Sequence, residues 1–289
     1  MNNAGVITAK TFDIKSSVES GQPLAFHADY NWGRVKTVKY STSRGIIELF
    51  SGGNVESESI TCKYSGNYTF ATARSEVSKR FGLSVDMESV YSAINTDKFI
   101  MESISAMPGL RVTRNDEWET TLCFLVSQFN NIKRIRGIIR KMKERFGDEA
   151  PDCGKLFPSP ESIAAASIRE LLECGTGFRA KYIKKTADRF ADGEFSGIRE
   201  MEYPDAKARL MEFDGIGEKV ADCILLFGYG KLEAFPVDTW IKRIMERIYI
   251  GRKCSIKEIH RFAERKWGSY AGYAQQYIYW HGRSNGVYK

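Results

Sequence analysis

Residues 210–243 read LMEFDGIGEKVADCILLFGYGKLEAFPVDTWIKR. One apolar-periodic segment stops near Phe213, Asp214-Gly215-Ile216-Gly217 follows, and a second segment starts near Glu218. The spacing predicts two helices joined by a tight turn, spanning about 205–228. The glycines admit backbone geometry that side chains block. They also clear space, so that amides from Gly215 and Gly217 through Val220 can meet a phosphate oxygen. Such a turn holds a nucleic-acid backbone and reads no base. The plainer reading is an ordinary helix–helix turn, and Gly-x-Gly is too short a pattern to decide.

Lys219 lies in the first turn of the second helix, at the positive end of its dipole. A positive potential lowers an amine's pKa, which suits a nucleophile. The alternatives are a surface lysine or one that grips phosphate. Asp238 stands nineteen positions later, after Phe235-Pro236-Val237 and before a helical pattern from Thr239 to Ile248. Aspartate is a favoured helix N-cap, and a cap also fixes the direction of its carboxylate. Held near a sugar anomeric carbon, that carboxylate can stabilise an oxocarbenium-like transition state.

The chain has 289 residues, enough for one large domain or two ordinary ones. Lys and Arg number 43 against 36 Asp and Glu, and the basic balance favours a polyanionic partner. Between Lys133 and Arg145 lie seven cations against Glu144 alone, either a nucleic-acid contact or a solvated helix face. No run of about 18 apolar residues exists to span a membrane. The start, MNNAGVITAK, lacks the apolar region of a secretory signal, so an intracellular protein is expected. The six cysteines (Cys62, Cys123, Cys153, Cys174, Cys223, Cys254) form no CxxC pair. Reduced, mostly buried thiols are expected, with no zinc or iron–sulfur site.

The first hundred residues read as a sheet: Val35 to Ser41, Ile46 to Phe50, the turn Ser51-Gly52-Gly53-Asn54, Ile60 to Tyr64 and Tyr68 to Ala71. Helical pattern begins near Val77 and dominates from Phe99. Helices are predicted over Trp118–Val126, Ile132–Phe146, Ser159–Cys174 and Ala180–Ala191. A capping box of Ser255 and Glu258 opens another, reaching Trp267. The expected class is α+β, with an antiparallel α/β domain over 1–98 and a helical domain over 99–289.

Hairpin, lysine, aspartate and spacing together resemble the helix-hairpin-helix DNA glycosylases. Gly215-Ile216-Gly217-Glu218-Lys219-Val220-Ala221-Asp222-Cys223 and Phe235-Pro236-Val237-Asp238 resemble the 8-oxoguanine DNA glycosylase branch in particular. Ser20-Gly21-Gln22 is similar to that branch's N-terminal strand segment, whose glycine carbonyl meets the oxidised base. Asn130-Asn131-Ile132-Lys133-Arg134-Ile135 resembles its asparagine-rich turn at the orphaned base. Gly177-Phe178-Arg179-Ala180-Lys181-Tyr182 resembles the segment with an aromatic wedge and a second arginine. Ala274-Gln275, with Tyr279 four positions on, resembles the helix that reads and stacks on the flipped base.

The resemblance implies double-stranded DNA containing oxidised guanine as partner, base flipping, and a monomer. It implies Lys219 as nucleophile, Asp238 as stabilising carboxylate, and a base held by Gly21, Cys223, Pro236, Gln275 and Tyr279. Phe178 would wedge the gap while Arg134 and Arg179 bond the orphaned cytosine beside Asn130 and Asn131. Gly215, Gly217, Val220 and Lys242 would hold phosphates. No metal or organic cofactor is implied, although a monovalent ion or calcium at the hairpin carbonyls is compatible. The implied location is cytoplasm or nucleoid in a prokaryote and nucleus in a eukaryote. The chain departs from the family at two places. Phe129 stands where a third asparagine is common, which predicts weaker opposite-base specificity. Trp240 stands where a histidine is usual, two residues after the aspartate. The alternatives are a helix-hairpin-helix glycosylase for other damaged purines, or a DNA-binding module without catalysis.

Overall fold

The computed structural model describes residues 3–33, 35–52, 55–150, 154–284 and 286. Gly53 and Asn54 of the expected turn, and Cys153, lie outside the described residues.

A five-stranded antiparallel sheet forms the N-terminal layer. Its strands are β1 (Asn3–Lys10), β2 (Asp29–Trp32), β3 (Lys36–Ser41), β4 (Ile46–Ser51) and β5 (Ser57–Tyr64), in the order β1-β5-β4-β3-β2. Ile7 sits opposite Ile60, and Leu49 lies between Val38 and Cys62, so one face carries a continuous apolar row. That face packs on Phe12, Ile14, Val77 and Phe81, all fully buried. β1 and β2 escape a sequence reading because Asn, Gly and Asp dilute the alternation.

Tyr68–Ala71, read as a strand, instead opens a helix. Thr69 caps Phe70–Arg80 through a capping box with Thr72, and local side-chain bonds to the backbone outweigh the β propensity of Tyr, Thr and Phe. The helix expected over Ser159–Cys174 is two, Pro160–Ala165 and Ile168–Glu173, because Ser167 and Glu170 form a second capping box inside it. Ile132–Phe146, Ala180–Ala191 and Ile256–Trp267 follow their expected bounds.

The helical layer has its own core, running from Met87 to Ile278 and also taking in Ala25 and Phe26. A buried polar cluster joins the layers. Arg80, 2% exposed, lies over the Tyr40 ring and donates to Asn115 at 2.9 Å and to Glu119 at 2.7 Å. Burial works against the Glu119 charge, but Arg80 and His27 overcome it and hold the carboxyl down at about 2. The charges are thus paired and bonded, as burial requires.

Candidate active site

The first helix of the hairpin is Tyr203–Met211 and the second is Glu218–Ile224. Ile216 between them is buried in the helical core and anchors the turn. Gly215 adopts φ +81°, and a Cβ there would meet the Tyr182 ring at 2.8 Å, so backbone and space both demand glycine. Gly217 is the N-cap and supplies no side-chain acceptor, which leaves the first amides of the helix turned outward. Gln128 Nε2 donates to the Gly215 carbonyl at 3.0 Å and ties the turn to the preceding helix.

Lys219 and Cys223 are one turn apart and share a face; Glu218 and Asp222 share another. Asp222 is fully buried and accepts from the Tyr203 hydroxyl at 2.6 Å and from Lys207 at 3.0 Å, with His260 at 3.2 Å. This bonding secures the short helix from behind and presents its other face to a cavity of about 380 Å³.

That cavity gathers residues from five separate parts of the chain. Lys219 and Cys223 meet Pro236 and Asp238, Gln275 and Tyr279, Ser20 and Gly21, and Asn130 and Asn131. Lys219 Nζ lies 5.0 Å from the Phe124 ring centroid. Asp238 caps Thr239–Ile244, accepting from the Ile241 amide at 2.8 Å, so its carboxylate is fixed while it faces the cavity. Burial pushes the Cys223 thiol up to about 11. The Lys219 pKa departs from the sequence expectation. Burial lowers it, but Cys223 and Asp238 outweigh burial and the net direction is upward. The helix dipole is weak over so short a helix, whereas Cys223 bonds the amine and the Asp238 carboxylate lines the same cavity.

Ser20-Gly21-Gln22 is a turn rather than a strand, lying between the short helices Ile14–Glu19 and Leu24–His27. Gly21 has φ +77°, and a Cβ there would meet the Tyr279 ring at 3.2 Å. Gln22 is fully buried and donates to the Arg111 carbonyl at 2.8 Å while accepting from the Thr113 amide at 2.6 Å. Gln276 donates to the Ser20 carbonyl at 2.5 Å. These bonds hold the Gly21 carbonyl in place, and no described residue donates to it. Gln275 is buried and donates to the Pro236 carbonyl at 3.2 Å; its Oε1 is buried without a partner among the described residues. Gly21 and Gln275 both line the cavity, and each carries an acceptor without a partner among the described residues.

The other side of the site is built differently. Phe129 is 92% exposed at φ +47°, a left-handed conformation that costs a bulky residue on the order of 1–3 kcal/mol. Its ring centroid is 6.3 Å from that of Phe178, which is 57% exposed. Arg179, expected to reach an orphaned base, is 3% exposed. Its Nε donates to the Gln128 carbonyl at 2.8 Å, Nη1 to the Thr176 carbonyl at 3.1 Å and Nη2 to the Gln128 and Phe129 carbonyls. Asn130 donates to the Val126 carbonyl at 3.1 Å and Asn131 caps the next helix, accepting from the Arg134 amide. The Arg134 side chain is exposed. Lys242 pairs with Glu246.

Sequence reasoning passed over Gln22 as a brace, and over Gln128 and Gln276. Glutamine carries no positional signature, and these roles depend on contacts between residues 87 to 256 positions apart. Trp240 lines the cavity, and the Arg243 guanidinium lies 5.5 Å from its ring.

Residues 122–269 match the family model described as HhH-GPD superfamily base excision DNA repair protein. A probable N-glycosylase/DNA lyase of Methanothermobacter thermautotrophicus is 32% identical over 75% of this chain and 77% of its own length. The structure superposes on MBOgg1, solved with a low-affinity DNA ligand, with TM-score 0.87 and 29% identity over 99% of this chain and 97% of that one. It also superposes on the Clostridium acetobutylicum 8-oxoguanine glycosylase/lyase bound to duplex DNA with cytosine opposite 8-oxoguanine. There the TM-score is 0.85, with 28% identity over 99% of this chain and all of that one.

Proposed function

The chain belongs to the HhH-GPD superfamily of base excision DNA repair proteins, and from that premise we propose that it is a DNA glycosylase and AP lyase that excises 8-oxoguanine from duplex DNA. The observation that carries this reading is the convergence on one cavity of Lys219, Asp238, Gly21 and Gln275, the last two with a carbonyl and an Oε1 that have no partner among the described residues.

A base inside a duplex must leave the stack before a side chain can reach its glycosidic bond. The outward amides at Gly217–Val220 suit a backbone phosphate of the flipped nucleotide. In the cavity, a purine would lie between Cys223 and Tyr279, with Gln275 on its Watson–Crick edge. 8-Oxoguanine carries an N7–H where guanine has a bare acceptor. The Gly21 carbonyl pairs with the first and repels the second, a difference of about 1–3 kcal/mol.

Lys219 Nζ then attacks C1′ and the C1′–N9 bond breaks, the base leaving with its electron pair and taking up a proton. Asp238 stabilises the positive charge that develops on the sugar and helps to take the proton from the amine. Ring opening leaves a Schiff base. Loss of a C2′ proton then expels the 3′-phosphate and nicks the strand. The scheme calls on no metal or organic cofactor.

The exposed Phe129 offers an orphaned base stacking in place of an amide, which supports relaxed specificity for cytosine. A repair enzyme of this kind works where the genome is, inside the cell. No helix among the described residues is long and apolar enough to cross a membrane. Borohydride trapping on an 8-oxoguanine duplex tests the reading. A covalent adduct is expected with the native chain and with Lys143→Gln, and none with Lys219→Gln. Absence of any adduct refutes the lyase.

A further inference from the structure

Arg179 and Phe129 form an arrangement that ordinary folding does not call for. A phenylalanine held in the left-handed region persists only where its surroundings over-determine it. A guanidinium 97% removed from solvent loses its hydration and must be repaid in full by acceptors. Here the two features meet. Four of the five Arg179 N–H donors engage the carbonyls of Gln128, Phe129 and Thr176, and the side chain is buried. The same guanidinium stacks 4.4 Å from the Phe178 ring centroid. The Gln128 side chain fastens the turn to the Gly215 carbonyl, and Tyr182 packs on Gly215 while touching Phe178 edge-on. All this bonding holds a ring that buries almost nothing. Strain and desolvation spent on an exposed ring find their return in a bound state.

We propose that Arg179 and Gln128 are positioning residues: they lock Phe129 beside Phe178 so that the two rings enter the duplex together as one preformed wedge, and Arg179 does not read the orphaned base. Two rings can fill a gap that one cannot, and they stack on any of the four bases because every base has a π face. Reading of cytosine then falls to the exposed Arg134. Gln128 also joins the wedge turn to the hairpin that bears Lys219, so insertion and phosphate grip form one rigid unit.

This inference rests on the glycosylase reading, and one experiment separates the two. Single-turnover excision is measured on 8-oxoguanine duplexes with C, A, G or T opposite, with flipping followed by 2-aminopurine fluorescence beside the lesion. Arg179→Met is expected to slow excision about tenfold opposite every base and to slow the fluorescence rise equally. The ratios among the four duplexes should stay within about twofold of those of the native chain. Adding Phe129→Gly to Arg179→Met should cost less than about twofold more, because both act through one device. Gln128→Ala, which alters only a half-buried side chain, keeps the test alive if Arg179→Met does not fold; a slowing of about threefold, equal across the four duplexes, is expected. Loss concentrated opposite cytosine in Arg179→Met overturns the lock, as does native-rate flipping in Gln128→Ala. Trapping of the native chain on a single-stranded abasic oligonucleotide serves as the control, since no wedge is needed there. Its failure sinks the lyase reading and not the lock.

Discussion

The lesion side of the site and its opposite-base side solve recognition by opposite means. The lesion side is concave and polar: Gly21 on a braced turn, a Gln275 amide oxygen without a partner among the described residues, and the proposed reactive pair Lys219 and Asp238, the carboxylate held by the Ile241 amide. The opposite side is convex and apolar: Phe129 and Phe178 stand in solvent on a turn whose polar groups are spent on its own backbone. Hydrogen bonds to buried acceptors discriminate because a wrong partner leaves them unpaired. Stacking surfaces discriminate little. On the proposed reading, selectivity lies where the damaged base enters and tolerance where its partner remains.

The comparison can be broken most sharply at Lys219. Lys219→Gln should lower strand nicking and borohydride trapping by about 10³-fold or more while leaving duplex binding nearly intact, since the hairpin amides remain. Equal loss of binding and trapping would mean that the lysine grips phosphate instead. Asp238→Asn comes next. Asparagine keeps the cap but not the charge, so base excision should fall by about 10²-fold with little change in Tm. A large drop in Tm with unchanged turnover would reduce Asp238 to a structural cap.

Gly21→Ala tests the lesion wall. The added Cβ meets both a positive φ and the Tyr279 ring, so discrimination between 8-oxoguanine and guanine should shrink about tenfold in kcat/KM. An unaltered ratio would remove the Gly21 carbonyl from recognition. The upward shift of Lys219 has its own signature. Only the neutral amine attacks, so trapping on an abasic duplex should rise about tenfold per pH unit between pH 7 and 9, and a flat profile would contradict it. The stability sign follows from the same shift. A folded pKa raised above the ordinary lysine value favours the folded state fully below that value, and the benefit fades only as pH climbs through the raised one. Its contribution is therefore full and constant near neutrality, and stability there does not vary with pH through this group. The smallest effect is expected at Phe129→Asn. Asparagine tolerates the left-handed turn and restores an amide, so preference for cytosine opposite the lesion should grow about threefold. An absolute requirement for cytosine in the native chain would defeat the tolerance argued for that side.

The sequence by itself determined a good deal. Local signals settle local structure: the glycines at 215 and 217, Asn131 and Gly147 around Ile132–Phe146, and the capping box at Ser255 each act within a few residues, so the helices they bound can be read from the chain. Lys219, Cys223 and Asp238 are legible for the same reason, as helix phase and a cap position set their directions. Where two local signals competed, as at Tyr68–Ala71, propensity lost to capping. Tertiary structure alone decided the rest. The burial of Arg179 follows from where the Gln128 and Phe129 carbonyls come to lie, 51 and 50 positions away in the chain. Burial lowers the Lys219 pKa and Cys223, one turn away, raises it; the further rise from Asp238 depends on a carboxylate that the sequence records only as a distant aspartate. The anchoring of Gly21 depends on Gln276, 256 positions from Ser20. Hydrogen bonds and charges act over a few ångströms of space, whatever their separation along the chain. A sequence therefore names the chemical groups of this site, and folding determines which of them touch the substrate and which brace those that do.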